Sequence, residues 1–423
     1  TRPSSMTQPV QFPSALPVYQ DAGPQAPYVE FTVRLAWALH RYGAPAHRLE
    51  EVAGLMSERL GLPGQFLSMP TAFIAAFGPW RAQRLFLVRI DPGSVDLQKQ
   101  VQLDGVAEQV AEGRLDPLTG VQKIDAIMAA PPRYGDALTV SCYGVASGAA
   151  SRFFGGGWRE IVVSSGIGLF VGVLSLLMGK RGSTARVFEP VAAVAASVLA
   201  AVAAWRLGSL STSIAVLGGL IVLVPGLTVT VALNELATRH LMSGTGRLMG
   251  AMMVFLFMGL GVTLGGKLAA LVPGSTGLDE PLALPLWTEA SAMVLGLVSF
   301  CVLMRVPARE TPWTIGIGSL IYFVAKLGAQ ELGPDLAGGV AAFLTAAASS
   351  LYARLRKRPS AIVLVPSLML LVPGSIGFRS LISLLERNVL SGVETAFQMV
   401  MTGVSLVTGL LLANVVFPPK RAL

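Results

Sequence analysis

The 423-residue sequence is 53% hydrophobic and only 13% charged, with a mean hydropathy of +0.63. Soluble domains carry about a quarter charged residues, so this composition excludes an ordinary soluble enzyme and reads as a polytopic membrane protein. The formal net charge of +8 does not point to nucleic acid, because the basic residues stand in short clusters between apolar runs, the pattern that orients a chain in a membrane.

Residues 1–28 are rich in Pro, Ser and Gln and lack periodicity, which predicts a disordered tail. Residues 29–130 have the composition of a soluble domain. Phe31, Leu35, Ala38 and Leu39 recur at helical spacing, as do Leu49, Val52, Leu55, Met56 and Leu60, and Gly43 and Gly61 end the two helices. Three extended runs follow, QFLSMP, TAFIAAF and RLFLVRI, and then two more helical patterns, the last opening on Pro117. That order predicts a cytoplasmic α+β domain.

The first apolar run begins beyond residue 130 with no signal peptide before it, and a start at Thr1 rather than Met reads as N-terminal processing. That run, GDALTVSCYGVASGAASRFF, is made of small residues, with Gly144 and Gly148 forming a face for close helix packing. Further runs lie at 160–178, 187–205, 211–238, 247–270, 287–304, 313–328, 335–353, 360–387 and 392–417. Two of these, 211–238 and 360–387, are interrupted near their middle by Pro225-Gly226 and Pro373-Gly374. Each is long enough, at roughly 42 Å, for two half-helices to meet near mid-membrane, although a re-entrant hairpin fits as well. Counting each once gives about ten spans in two five-span halves, 131–280 and 281–423, each broken in its fourth helix. An odd number of spans per half gives the second half inverted topology. With both termini cytoplasmic, clusters such as Lys180, Arg181 and Arg186, or Arg354, Arg356, Lys357 and Arg358, fall inside, as the positive-inside rule requires.

Three stretches together resemble the threonine/serine exporter family: RLAWALHRYGAPAHRLEEVAGLMSERLGL, LVPGLTVTVALNELATRHLMSGTGRLMGAM and LVPGSIGFRSL. The resemblance spans roughly residues 30 to 417. It implies a secondary exporter of L-threonine and L-serine in the cell (inner) membrane, driven by the proton gradient. Glu235 stands where some relatives look to have Asp, which keeps the charge but lengthens its reach.

A zwitterionic substrate needs partners for its carboxylate, its ammonium and its hydroxyl. The half-helices that start after Pro225-Gly226 and Pro373-Gly374 present free N–H groups and a positive dipole end to a carboxylate, and the preceding half-helices offer carbonyls to an ammonium. Thr228, Thr230, Asn234 and Ser375 add hydrogen-bonding capacity, and Arg379 supplies a fixed positive charge that binds the carboxylate or pairs with Glu235. Glu235 is the candidate proton carrier, since burial raises a carboxyl pKa towards the physiological range. The bland alternative is that Glu235 and Arg379 are solvated charges at opposite membrane faces. Glu289 and Glu394 start their spans, where an acid suits the helix dipole, and Lys267 snorkels outwards.

The remaining motifs carry less. GVTLGGKL at 261–268 imitates a phosphate loop but lacks the following Ser/Thr and the preceding strand. Cys142 and Cys301 lie in apolar segments and read as buried free thiols; His40, His47 and His240 have no ligand-like spacing, so neither a metal centre nor a cofactor is expected. Asp91, Asp96, Asp104 and the two N-terminal histidines form no nucleophile-base pattern, which argues against an enzyme. The expected partners are a small amino-acid substrate, protons and the lipid bilayer, with homo-oligomerisation left open and no nucleic acid. The competing functions are a membrane channel or scaffold whose soluble domain recruits partners, and a membrane-bound hydrolase.

Overall fold

The computed structural model describes residues 25–91, 93–179, 187–271 and 281–418. Most of the expected tail falls outside them, as do Lys180, Arg181, Arg186, Asp279, Glu280, Lys420 and Arg421, whose placement the charge argument used.

The N-terminal part runs α1 (Ala26–Arg41), α2 (Ala46–Arg59), β1 (Gly64–Met69), β2 (Ala72–Phe77), β3 (Arg84–Arg89), α3 (Leu97–Ala111) and α4 (Pro117–Ala129). Gly43 and Gly61 follow α1 and α2 with positive φ, the conformation that lets a chain leave a helix without a Cβ clash. Asp116 caps α4, accepting from the N–H groups of Leu118 and Thr119, with Pro117 in the first turn. The strands form one antiparallel meander, β1-β2-β3. The inner face of β2 alternates, with Phe73, Ala75 and Phe77 buried. These residues share one core with Phe31, Leu35 and Met56 of the helices.

The apolar part continues as α5 (Asp136–Phe153), α6 (Trp158–Gly179), α7 (Phe188–Leu207), α8 (Thr212–Gly219), α9 (Gly226–Ala237), α10 (Leu241–Ala269), α11 (Leu286–Leu303), α12 (Thr311–Leu332), α13 (Pro334–Arg356), α14 (Ala361–Leu368), α15 (Gly374–Leu385) and α16 (Val389–Val416). Among the described residues six of these, α6, α7, α10, α11, α13 and α16, are long and apolar enough to cross a membrane. The pair formed by α8 and the segment through α9, bent by 46°, adds a seventh. Of the other helices behind the ten-span expectation, α5 and α12 are long enough but not apolar enough, and the α14–α15 pair does not qualify as one span. Large apolar side chains such as Leu177, Leu264 and Phe397 are exposed on the bundle, as a lipid-facing surface requires.

Small residues set the helix spacing. A Cβ added at Gly144 would meet Leu169 of α6 at 2.7 Å, and Gly148 abuts Ser165. Gly261 and Gly265 of α10 press on Pro190, Ala193 and Ser197 of α7, while Gly339 of α13 presses on Ser405 of α16. The phosphate-loop look-alike is therefore packing surface within an unbroken helix. Cys142 and Cys301 are both buried and free.

The two halves also repeat a polar device. At the start of α6, Glu160 accepts from the Ser211 N–H ahead of α8, and Ser164, one turn on, donates to the Ala215 carbonyl. Before α12, Glu310 accepts from Tyr352 of α13, and Thr314, one turn on, donates to the Ile362 carbonyl of α14. Each acid is buried and hydrogen-bonded, Glu160 to the connection ahead of α8 and Glu310 to the helix ahead of α14.

The two breaks meet. A Cβ added at Gly374 would lie 2.7 Å from the Gly226 Cα and 2.8 Å from Val224 Cγ1, so only glycine allows the backbones to touch there. Gly374→Ala is expected to cost about 1–3 kcal/mol through overpacking, read as a lowered thermal transition of the purified protein. Gly316→Ala, where a Cβ meets nothing within 4 Å, is the control that leaves the transition in place.

Candidate functional site

Pro225 and Pro373 each precede the first residue of a helix, and neither α9 nor α15 has a side-chain cap. The first-turn N–H groups of a helix lack intrahelical partners, so two positive helix ends converge where Gly226 touches Gly374. A cavity of about 270 Å³ opens at this crossing. Its wall includes Ala146 and Phe153 of α5, Phe154 just beyond that helix, Phe300 of α11, Tyr322 of α12, and Gly226, Gly374 and Ser375 from the breaks. Tyr322 and Ser375 are the lining residues with polar side chains.

The other expected site residues are distributed differently. Thr230 is buried and donates to the Gly226 carbonyl at 3.2 Å, so its hydroxyl serves its own helix. Thr228 is half-buried and off the cavity wall, and the buried side-chain oxygen of Asn234 has no hydrogen-bond partner among the described residues. Arg379 does not pair with Glu235, as one expectation had it. Its guanidinium lies 4.8 Å from the centre of the Phe154 ring, behind the cavity wall, and its side chain is otherwise exposed. The reason is directional: α9 and α15 diverge from their meeting point, so residues beyond the breaks move apart.

Glu235 sits near the far end of α9, roughly 14 Å along the helix from Gly226. It is completely buried. Arg247 of α10 clasps it in a fork, Nε to Oε2 and Nη2 to Oε1, both at 3.1 Å. Ser243 donates to Oε2 at 2.9 Å, and the N–H of Ala46, the first residue of α2, donates to Oε1 at 2.9 Å. The carboxylate thus caps a helix of the N-terminal unit while belonging to the membrane bundle, a favourable use of the positive helix end. Arg247 and Ser243 lie in the Ser-Gly…Gly-Arg segment of the sequence, where a basic residue at a helix start reads only as an orientation charge.

All three histidines of the chain gather near this junction. His240 lies 3.3 Å from Glu50 and its ring is 6.1 Å from that of His47, while His40 hydrogen-bonds the Met69 carbonyl through Nε2. A second contact ties the same unit to the other half of the bundle: Asp96 caps α3 and pairs with Arg305 at 3.0 Å, and the Leu97 N–H donates to the Met304 carbonyl.

Burial pushes the His47 imidazole down to about 4, with His240, Arg48 and Arg247 adding to the effect against the opposing pull of Glu235. A histidine held neutral in the folded state contributes stability that is complete above its unfolded value near 6.5 and is lost as the pH falls towards 4. Thermal unfolding of the purified protein should therefore weaken over that window, and His47→Gln should flatten the slope; an unchanged slope would show that His47 does not hold the junction neutral.

A family model described as threonine/serine exporter matches residues 30–269, and a second, described as Threonine/Serine exporter, ThrE, matches residues 289–416. Among curated relatives, pheromone-regulated membrane protein 10 of Eremothecium gossypii is 29% identical over 391 residues, covering 88% of this chain and 50% of that protein. The proteins of the same name from Candida albicans and Saccharomyces cerevisiae are 28% and 27% identical, covering 87% and 86% of this chain but 34% and 48% of their own lengths. The chain thus spans about half, or less, of the length of these relatives. No solved structure matches it. With both halves matched and a membrane bundle organised around paired helix breaks, the chain belongs to the threonine/serine exporter family.

Proposed function

We propose that this membrane protein is a secondary transporter that exports small hydroxy amino acids, L-threonine and L-serine, by proton antiport with alternating access. The observation that carries the reading is the small cavity at the crossing of the two breaks, where two helix N-termini and Ser375 meet. Its volume lies just below the range of drug-sized pockets, on the scale of a single amino acid. The carboxylate is received at Pro225-Gly226 and Pro373-Gly374, and Arg379 adds positive potential from behind Phe154.

The architecture that goes with this reading is ten spans in two inverted halves. It adds α5, α12 and the α14–α15 pair to the spans that length and hydropathy identify. The repeated acid-plus-hydroxyl device at Glu160/Ser164 and Glu310/Thr314 supports the repeat, as does the glycine-mediated packing of α7 on α10 and α13 on α16. Both termini face the cytoplasm, and residues 29–130 form the cytoplasmic domain.

Coupling runs through Glu235. Protonating this carboxylate removes the charge that holds Arg247, Ser243 and the Ala46 N–H, which loosens the N-terminal unit from the end of α9. The same helix begins at the cavity, so a change at Glu235 reaches the substrate through one twelve-residue rod. Proteoliposomes loaded with labelled L-serine or L-threonine test this. An imposed pH gradient should accelerate efflux from vesicles carrying the wild-type protein, and Glu235→Gln should abolish that acceleration. Efflux of both amino acids at the protein-free rate would sink the transport reading, and gradient-driven efflux through Glu235→Gln would sink the coupling role.

A further inference from the structure

The cavity has a donor end without an evident acceptor end, yet an α-amino acid brings an ammonium as well as a carboxylate. Tyr322 reaches from the cavity wall to Glu289, its hydroxyl donating to Oε1 at 2.6 Å. Lys326, one turn further along α12, donates to the same Oε1 at 2.6 Å. Among the described residues Oε2 of Glu289 accepts no hydrogen bond. The carboxylate is thus mostly buried, bound to an ammonium on one oxygen and open on the other. Arg152, the nearby cation of α5, is engaged elsewhere, donating to Thr288 Oγ1 at 2.7 Å.

Tyr322 is placed to convey this charge to the cavity. Its phenol proton is committed to Glu289, which leaves its oxygen an acceptor made electron-rich by the carboxylate behind it. Its ring is held 5.5 Å from that of Phe153, another wall residue. Ser375 and the paired helix starts belong to the α9–α15 side, whereas Tyr322 comes from α12, so the lining separates donors from an acceptor.

Resting on the transport reading above, we propose that Tyr322, backed by Glu289, is the ammonium-recognising end of the cavity. The substrate lies with its carboxylate at Gly226 and Gly374 and its ammonium at the Tyr322 oxygen. Lys326, whose side chain is 42% exposed, is the resident ammonium that can swing into solvent as the substrate's arrives. Selection is then for zwitterions over simple hydroxy acids.

The test is counterflow of labelled L-serine in proteoliposomes, competed by unlabelled L-serine or by 3-hydroxypropionate, which keeps the carboxylate and hydroxyl but lacks the amine. Wild-type protein should favour L-serine by roughly tenfold or more, the value of one charge-assisted hydrogen bond. In Tyr322→Phe, which keeps the ring against Phe153, and in Glu289→Gln, which keeps an acceptor for the phenol, this preference should collapse towards one. A merely structural role would weaken both competitors equally and preserve the ratio; that result, or an unchanged ratio in both variants, overturns the proposal. If no amino acid competes in the wild type while reconstituted protein is folded, the transport reading itself fails and takes this assignment with it.

Discussion

The contact between Gly226 and Gly374 is the constraint on which the rest of the bundle depends. Two proline-broken chains can approach to backbone distance only if neither carries a Cβ at the crossing, and at that distance each helix start is buried beside the other. Like dipole ends do not attract, so the arrangement is held from outside, by the packing of α5, α10 and α16 on the half-helices and by the polar ties of Glu160 and Glu310. What remains at the crossing is a small cavity with an unbalanced electrostatic character. Such a place favours an anion or the carboxylate of a zwitterion.

The N-terminal unit is fastened to both halves of that bundle. Through Ala46 it meets Glu235 at the end of α9, and through Asp96 it meets Arg305 at the end of α11. Removing the partner of a buried carboxylate leaves an acceptor unsatisfied, at a cost of roughly 1–3 kcal/mol. The unit therefore cannot move away from either half without a change at one of these carboxylates. Beside the first contact, burial holds the imidazoles of His40 and His47 below the usual histidine range.

Much of this was legible in the residues. The helix-helix-strand-strand-strand-helix-helix order followed from periodicity and from Gly43, Gly61 and Pro117, each of which acts locally and in the expected way. The paired Pro-Gly breaks were visible because proline and glycine impose their backbone geometry wherever they stand. Gly226, Gly374 and Ser375, at those breaks, line the cavity. Glu235 and Arg379 do not meet: Glu235 pairs with Arg247, and Arg379 lies over the Phe154 ring. Their distance from the breaks along the chain is short, but the partners of Glu235 come from Arg247 of the next helix and from the backbone N–H of Ala46, 189 positions earlier.

The same distinction separates what the chain encodes locally from what folding decides. Composition determined that the protein lies in a membrane, glycine and proline determined where its helices break, and apolar periodicity determined its element order. Only the tertiary structure decided that the two breaks touch, that Glu235 caps a helix of the N-terminal unit in the grip of Arg247, and that Tyr322 joins the cavity to Glu289. Backbone preferences act over a few residues and leave a mark in the sequence. The pairing of buried charges depends on which helices become neighbours, and no short-range rule of the chain specifies that.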